Sequence, residues 1–134
     1  CGVGTIMFEA CYAGINVEGC DISLKRCNQT NENLKHYQYS GKVHHSDIKD
    51  LDKKYDAIII DLPYNLYSYS NDDNTLKIIE SAAQLTSRII IVSISDIATI
   101  IKKCGLQTID FCTVEKRGKS GFTRSIWVCE GESL

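Results

Sequence analysis

The sequence has no apolar run near the roughly 18 residues that a membrane span requires. Its longest, Ala57–Ile60 and Ile89–Val92, are four residues each. The stretch from Cys1 to Ala13 lacks a basic start and is broken by Glu9, so no secretory leader is expected. A basic excess is missing as well. Lys plus Arg is 15 against 17 for Asp plus Glu, a formal net charge of −2, whereas a free-standing nucleic-acid binder would be basic. Zinc-knuckle spacing is absent: the seven cysteines, at 1, 11, 20, 27, 104, 112 and 129, form no Cys-x-x-Cys pair. Their number is odd and most lie in apolar stretches, which suits small buried hydrophobes in a reduced, cytoplasmic chain rather than a disulfide scaffold. What is present is an ordinary globular balance, 43% hydrophobic and 24% charged over 134 residues. That excludes a disordered chain and matches one domain.

Helix and strand signals alternate along the chain. Thr5–Ala13 reads as a helix with Ile6, Ala10 and Ala13 on one face and Gly14 as its stop. Ile15–Cys20 reads as a strand. Ser23 to about Gln38 reads as a helix, because Leu24, Cys27, Asn31 and Leu34 recur at helical spacing, and Lys42–Ser46 reads as a brief strand. Tyr55–Ile60 and Arg88–Ile94 are continuous apolar strands of the kind covered on both faces. Between them Asp72 or Asp73 can cap a helix carrying Leu76, Ile79 and Ala83. Asp96 then caps a helix with Lys102 and Lys103 in its last turn and Gly105 beyond. Leu106–Glu115 and Phe122–Glu130 form a hairpin around Lys116–Gly121. The fold class is therefore α/β, a mostly parallel sheet with a C-terminal antiparallel hairpin. The glycine turn Cys1-Gly2-Val3-Gly4 normally follows a strand, so a first strand upstream of Cys1 is expected, and residues 1–134 read as one domain of a longer protein.

Two constellations carry chemistry. Gly2 and Gly4 at a helix start, followed by Asp21 at the end of the next strand 17 positions after Gly4, resemble a nucleotide site. There glycines let a ligand approach the backbone and an acid about 20 residues on accepts from ribose hydroxyls. Met7 stands where a dinucleotide fingerprint has its third glycine, and no Gly-Lys-Ser/Thr is present, so a nucleoside without phosphates fits better. The second constellation is Asp61-Leu62-Pro63-Tyr64, with the only proline in the chain, directly after a strand. Ligands of open α/β sheets bind at such strand ends. Asp61 and a carbonyl of the Leu62–Pro63 turn can accept from an amino group, and Tyr64 can stack on a planar base.

In order and spacing, Cys1-Gly2-Val3-Gly4-Thr5, Gly19-Cys20-Asp21-Ile22, Ser46-Asp47-Ile48 and Asp61-Leu62-Pro63-Tyr64 resemble class I S-adenosylmethionine-dependent methyltransferases. Within that class they are similar to the catalytic domain of the THUMP-linked tRNA guanosine methyltransferases, which act on the exocyclic 2-amino group. The closing Phe122–Glu130 resembles the last strand of bacterial members. The resemblance implies a Rossmann-like fold, S-adenosylmethionine as cofactor, and a tRNA substrate aided by an upstream RNA-binding domain. It implies that Gly2, Gly4 and Thr5 lie along the methionine part of the cofactor, that Asp21 holds its ribose and Ile22 packs on its adenine, and that Asp47 and Ile48 meet the adenine edge. Asp61, Pro63 and Tyr64 then form the catalytic turn, with Leu62 and Asn65 beside the base. The usual family turn is Asp-Pro-Pro-Tyr followed by Gly; here Leu62 replaces the first proline and Asn65 the glycine.

Lys116, Arg117, Lys119 and Arg124 place four cations and no acid within Lys116–Arg124. Arg124 is a candidate phosphate contact. His44 and His45 are strand neighbours that point to opposite faces, so no metal site is expected. Two other readings stand beside methyl transfer to guanosine. One is transfer to the 6-amino group of adenine in DNA or ribosomal RNA. The other is a non-catalytic nucleotide-binding or NAD-type module.

Overall fold

The strands of this chain pair in two separate sheets, and each pairing follows from how its connection is built. The computed structural model describes residues 4–62, 71–115 and 123–131. By internal contacts it divides into two units, Cys1–Leu51 and Asp52–Leu134. The first unit contains helix α1 (Thr5–Tyr12), strand β1 (Glu18–Asp21), helix α2 (Leu24–His36), strand β2 (Lys42–His45) and a 3₁₀ turn at Ile48–Asp50. The second contains β3 (Ile58–Asp61), α3 (Asn71–Leu85), β4 (Arg88–Ser93), α4 (Ala98–Lys103), β5 (Gln107–Glu115) and β6 (Thr123–Glu130).

In the first unit β1 and β2 run parallel, with Glu18 opposite Lys42 and Asp21 opposite His45. A parallel pair needs a crossover, and α2 supplies it. Ser23 starts that helix in extended conformation and its hydroxyl accepts from the Arg26 amide at 3.4 Å. Cys27, Thr30 and Leu34 form the helix's buried face. They join Met7 and Val43 in the core, packed by Phe8, Cys11, Val17 and Tyr39. Burying each large apolar side chain contributes roughly 1.5–3 kcal/mol. Leu24, expected on this face, is 54% exposed because it sits at the first helical position, outside the stripe that meets the strands. On α1 the core residue is Met7, not the expected Ile6, Ala10 and Ala13. A helix apolar on every side gives no single stripe to read.

Asn31 ties α2 to the sheet edge. Its amide nitrogen donates to the Val43 carbonyl and its oxygen accepts from the Val43 amide, both at 2.9 Å. These main-chain groups lie on the side of β2 away from β1, so one side chain serves in place of a further strand. Gly4 is the second tight point. It caps α1 in the left-handed region (φ 93°), and a Cβ there would stand 2.5 Å from Cγ2 of Thr30.

The second unit is a four-stranded mixed sheet in the order β3-β4-β6-β5. β3 and β4 are parallel, while β6 is antiparallel to both β4 and β5. The hairpin's inner strand therefore joins β4 directly, and a bulge falls between Thr108 and Asp110. Ile89, Ile91, Trp127 and Cys129 share the buried face, and α3 and α4, which pack on one another, contribute Ile79, Ala82, Ile97 and Ile101 to the core. The expectation that Tyr55–Ile60 is covered on both faces fails: the strand is Ile58–Asp61 and Ile59 is 49% exposed. With α3 and α4 packed together, no helix among the described residues of this unit remains for the face that carries Ile59. Asp72 and Asp73 lie inside the first turn of α3 rather than capping it, where they still complement the helix dipole. Asp96 acts one position earlier than expected: Ile97 holds the cap position, and Oδ1 of Asp96 accepts from the Ala98 amide at 3.0 Å. The loop expected at Lys116–Gly121 lies outside the described residues. Among the described residues no helix is long and apolar enough to cross a membrane.

Two substitutions test these anchors. Asn31→Ala leaves both Val43 main-chain groups without their partner and should cost about 1–3 kcal/mol in urea unfolding. Gly4→Ala adds a left-handed penalty of about 1–2 kcal/mol to the collision with Thr30, so its unfolding midpoint should fall further than that of Gly14→Ala, where a Cβ meets nothing within 4 Å.

Candidate functional site

The parallel pairing of β1 with β2 carries two acids to one edge. Asp21 is the last residue of β1, and Asp47 follows β2 by two positions. The Ser46 amide donates to the Asp21 carbonyl at 3.1 Å, which holds the two strand ends together. Each carboxylate is then oriented locally. Oδ1 of Asp21 accepts from the Ser23 amide at 2.8 Å, and Oδ1 of Asp47 accepts from the Lys49 amide at 3.1 Å. Both are Asx turns, which the sequence announces by an acid two positions before the donating residue. Ile22 follows Asp21 and is 73% exposed, an apolar surface beside two acceptors.

Cys20 reports the same convergence. Burial pushes its thiol up, and the carboxylates of Asp21 and Asp47 push in the same direction. The thiol therefore stays protonated at neutral pH and adds no negative charge between the two acids. Burial also raises the thiols of Cys104 and Cys129. Of the described cysteines only Cys27 and Cys129 are fully buried, fewer than expected; Cys11, Cys20 and Cys104 are half-buried, and Cys112, on the outermost strand β5, is exposed.

Gly4 and the exposed Thr5 open α1, and no side chain caps that helix. Ile48 is half-buried at the start of the 3₁₀ turn. The structure thus brings Asp21, Ile22, Asp47 and Ile48 to the carboxyl edge of the parallel pair. Gly2 lies outside the described residues.

In the second unit Asp61 ends β3, opposite Val92 of β4. Leu62 is buried, and its amide donates to the Val92 carbonyl at 3.0 Å, so the chain stays in register one residue past the acid. Pro63, Tyr64 and Asn65 lie outside the described residues. Arg124 stands on β6 one position beyond Ser125, which pairs with Ser93 at the carboxyl end of β4. Asp61 and Arg124 therefore occupy the same sheet edge on either side of β4, two strand spacings or roughly 10 Å apart. Ser93, which sequence reasoning missed, lies between them. Its hydroxyl accepts from Nε1 of Trp127 at 2.9 Å and donates to the Ser95 carbonyl at 2.8 Å. A lone serine after an apolar run carries no signal by itself; the link is visible only once Trp127 is placed. Among the described residues no group of three or more His, Cys, Asp or Glu is placed to hold a metal ion.

No protein-family model matches the sequence. A tRNA (guanine(10)-N2)-dimethyltransferase of Methanothermobacter thermautotrophicus is 38% identical over 81 residues, which are 58% of this chain and 24% of that protein. The chain thus spans about a quarter of the length of that relative. Among solved structures, a magnesium protoporphyrin IX methyltransferase from Synechocystis PCC 6803 with bound SAM superposes with a TM-score of 0.82 at 20% identity, over 98% of this chain and 67% of the other. TrmN from Thermus thermophilus also gives 0.82 at 19% identity, over 98% of this chain and 42% of the other. The chain has the Rossmann-like fold of the class I S-adenosylmethionine-dependent methyltransferases, as the order of its motifs implied.

Proposed function

We propose that this chain is the catalytic domain of an S-adenosylmethionine-dependent methyltransferase acting on an exocyclic amino group of a nucleobase, guanosine in tRNA. The observation that carries the reading is Asp61, held at the carboxyl end of β3 as the first residue of Asp-Leu-Pro-Tyr. The 38% identity to a tRNA guanine-N2 dimethyltransferase supports this substrate class. The donor set of the first unit fits the cofactor: Asp21 and Asp47 are acceptors suited to ribose hydroxyls and an adenine amino group, and exposed Ile22 is suited to a ring face. Gly2, Gly4, Thr5 and Ile48 complete that set in the proposal. When bound, S-adenosylmethionine supplies a sulfonium-activated methyl group, so the protein needs no strong base to make a leaving group.

The remaining task falls to the chain's own residues. An exocyclic amine on a base is a poor nucleophile because its lone pair is delocalised into the ring. Asp61, by accepting an amino hydrogen, turns that lone pair out of conjugation and stabilises positive charge developing on nitrogen. A carbonyl of the Leu62–Pro63 turn accepts the second hydrogen, and Tyr64 holds the plane of the base. Asn65 lies at the base edge. Alignment at attack distance supplies up to about 7–11 kcal/mol of the barrier reduction. The base must leave its helix to reach such a pocket. Arg124 contacts a phosphate, and a further RNA-binding domain upstream supplies most of the affinity.

Asp61→Ala should lower kcat by about 10²–10³-fold, the scale for losing one preorganised partner of developing charge, with S-adenosylhomocysteine affinity within twofold of the native value. Full turnover in the variant would refute the role, and nucleoside analysis of the product separates N2-methylguanosine from N6-methyladenosine. Asp21→Asn keeps the acceptor for the Ser23 amide and removes the charge. S-adenosylhomocysteine affinity should then fall roughly 10- to 100-fold by calorimetry, as expected for hydrogen bonds to a charged group. Tight binding of NAD with none of S-adenosylhomocysteine would overturn the reading.

A further inference from the structure

One stretch of the first unit is chemically unlike the rest. From Asn33 to Ser46 there is no Asp or Glu, while Lys35, His36, Lys42, His44 and His45 fall inside it, including all three histidines of the chain. Glu32 and Asp47 bound it. In space the stretch is the end of α2, the turn to β2, and β2 itself. Lys35 and His36 occupy the last helical turn, and Tyr37 caps it. Tyr37 stacks on Tyr39 at 6.3 Å between centroids and 29° between planes, and Phe8 and His36 meet it edge-on at 5.8 and 5.1 Å. Tyr39 is packed against the core, which anchors the stack, yet Tyr37 remains 63% exposed. A large ring held in place by three neighbours and still open to solvent is a stacking platform.

Beside it lies a groove of about 410 Å³, within the range that takes small molecules. Tyr39, Gln38, Ser40 and Asn16 line it and bring amide and hydroxyl groups suited to a base edge. Gln38 has φ 59°, the only non-glycine residue with positive φ among those described. Glycine would occupy this position without strain. Gln38 follows the cap of α2, where its amide donates to the Lys35 carbonyl at 3.1 Å and the Tyr39 amide to the Leu34 carbonyl at 2.9 Å, a helix-ending turn that sets Gln38 in the groove lining.

We propose that the Tyr37–Lys42 turn is a docking surface for single-stranded RNA, separate from the edge of the first unit that carries Asp21 and Asp47. A base stacks on Tyr37, a neighbouring base edge enters the groove against Gln38, Asn16 and Ser40, and Lys35 and Lys42 hold the adjoining phosphates. The surface precedes β2, whereas Asp47 follows it, so the two lie at opposite ends of that strand, about 13 Å apart at roughly 3.3 Å per residue. A bound strand of several nucleotides passes this surface without occupying the edge that carries Asp21 and Asp47. The proposal rests on the nucleic-acid reading of the substrate above.

The test is a fluorescence-anisotropy titration of the full chain with a labelled 12-nucleotide single-stranded RNA, without methyl donor, at several salt concentrations. Tyr37→Ala should weaken binding about 10-fold or more. Lys35→Ala/Lys42→Ala should reduce the slope of log affinity against log salt by about 1.4, at roughly 0.7 per phosphate contact on a single strand. Lys102→Ala/Lys103→Ala removes the same charge from α4, where both lysines are exposed, and should leave the affinity within twofold. Gln38→Gly should raise the thermal midpoint while lowering affinity, a combination that a purely structural glutamine would not give. The proposal is overturned if the native chain does not bind at 50 mM salt, if the patch variants bind within twofold of native, or if the α4 control loses as much. It is also overturned if Tyr37→Ala dissociates a dimer with RNA binding unaltered, which would make the patch an interface between copies. Because no donor or turnover is involved, failure of methyl transfer leaves this readout intact. Conversely, native-like RNA binding by the patch variants would sink the surface and leave the methyltransferase reading standing.

Discussion

The parallel register of β1 on β2 is the constraint on which the edge carrying Asp21 and Asp47 depends. Parallel strands place both of their carboxyl ends on one edge, and only a crossover helix permits that arrangement. Here α2 fills the role with three buried residues and one side-chain bridge. If β2 slipped by one residue, its side chains would exchange faces: Val43 would leave the core, the Asn31 bridge would lose its partner, and Asp47 would move away from Asp21. The packing of the core and the placement of the two acids are therefore one requirement. That a buried Thr30 also meets the position a Gly4 Cβ would take ties the start of α1 to the same helix.

The second unit reaches a similar result by other means. Its edge is set by a parallel pair, β3 on β4, continued by the antiparallel strand β6. The carboxyl end of β4 is fixed by Ser93, which joins Trp127 on one side and Ser95 on the other. Asp61 and Arg124 flank that fixed point. An acid and a base thus stand on either side of the end of β4.

Much of this was legible in residue patterns, and the exceptions have physical causes. Helix α2 was readable because Cys27 and Leu34 recur at helical spacing and Ser23 caps it. Strands β3 and β4 were readable as short apolar runs. The core face of α1 was not, since Ile6, Met7, Phe8, Ala10 and Cys11 are all apolar and periodicity cannot choose among them. Nor was the exposure of Ile59, because a run of isoleucines says that a strand is apolar but not how many helices are available to cover it. The strand-end positions of Asp21 and Asp61 were legible because each acid closes a short strand, and Asp47 was singled out by its place after a strand together with the family resemblance. Ser93, Asn31 and Gln38 were not, since their importance lies in a partner or a backbone angle that appears only in three dimensions.

The charge of the chain is unevenly distributed along the sequence. A net charge of −2 gives no general attraction to phosphate. Several stretches carry cations and no acid, among them Lys116–Arg124 near the C-terminus and Asn33–Ser46 in the first unit. The two differ in kind. Lys116–Arg124 holds one aromatic residue, Phe122, so its contribution is mainly electrostatic and falls with salt. Asn33–Ser46 holds a ring stack anchored on the core, and stacking, unlike charge, is not screened by salt. The two stretches therefore differ in how any attraction to a polyanion would respond to ionic strength.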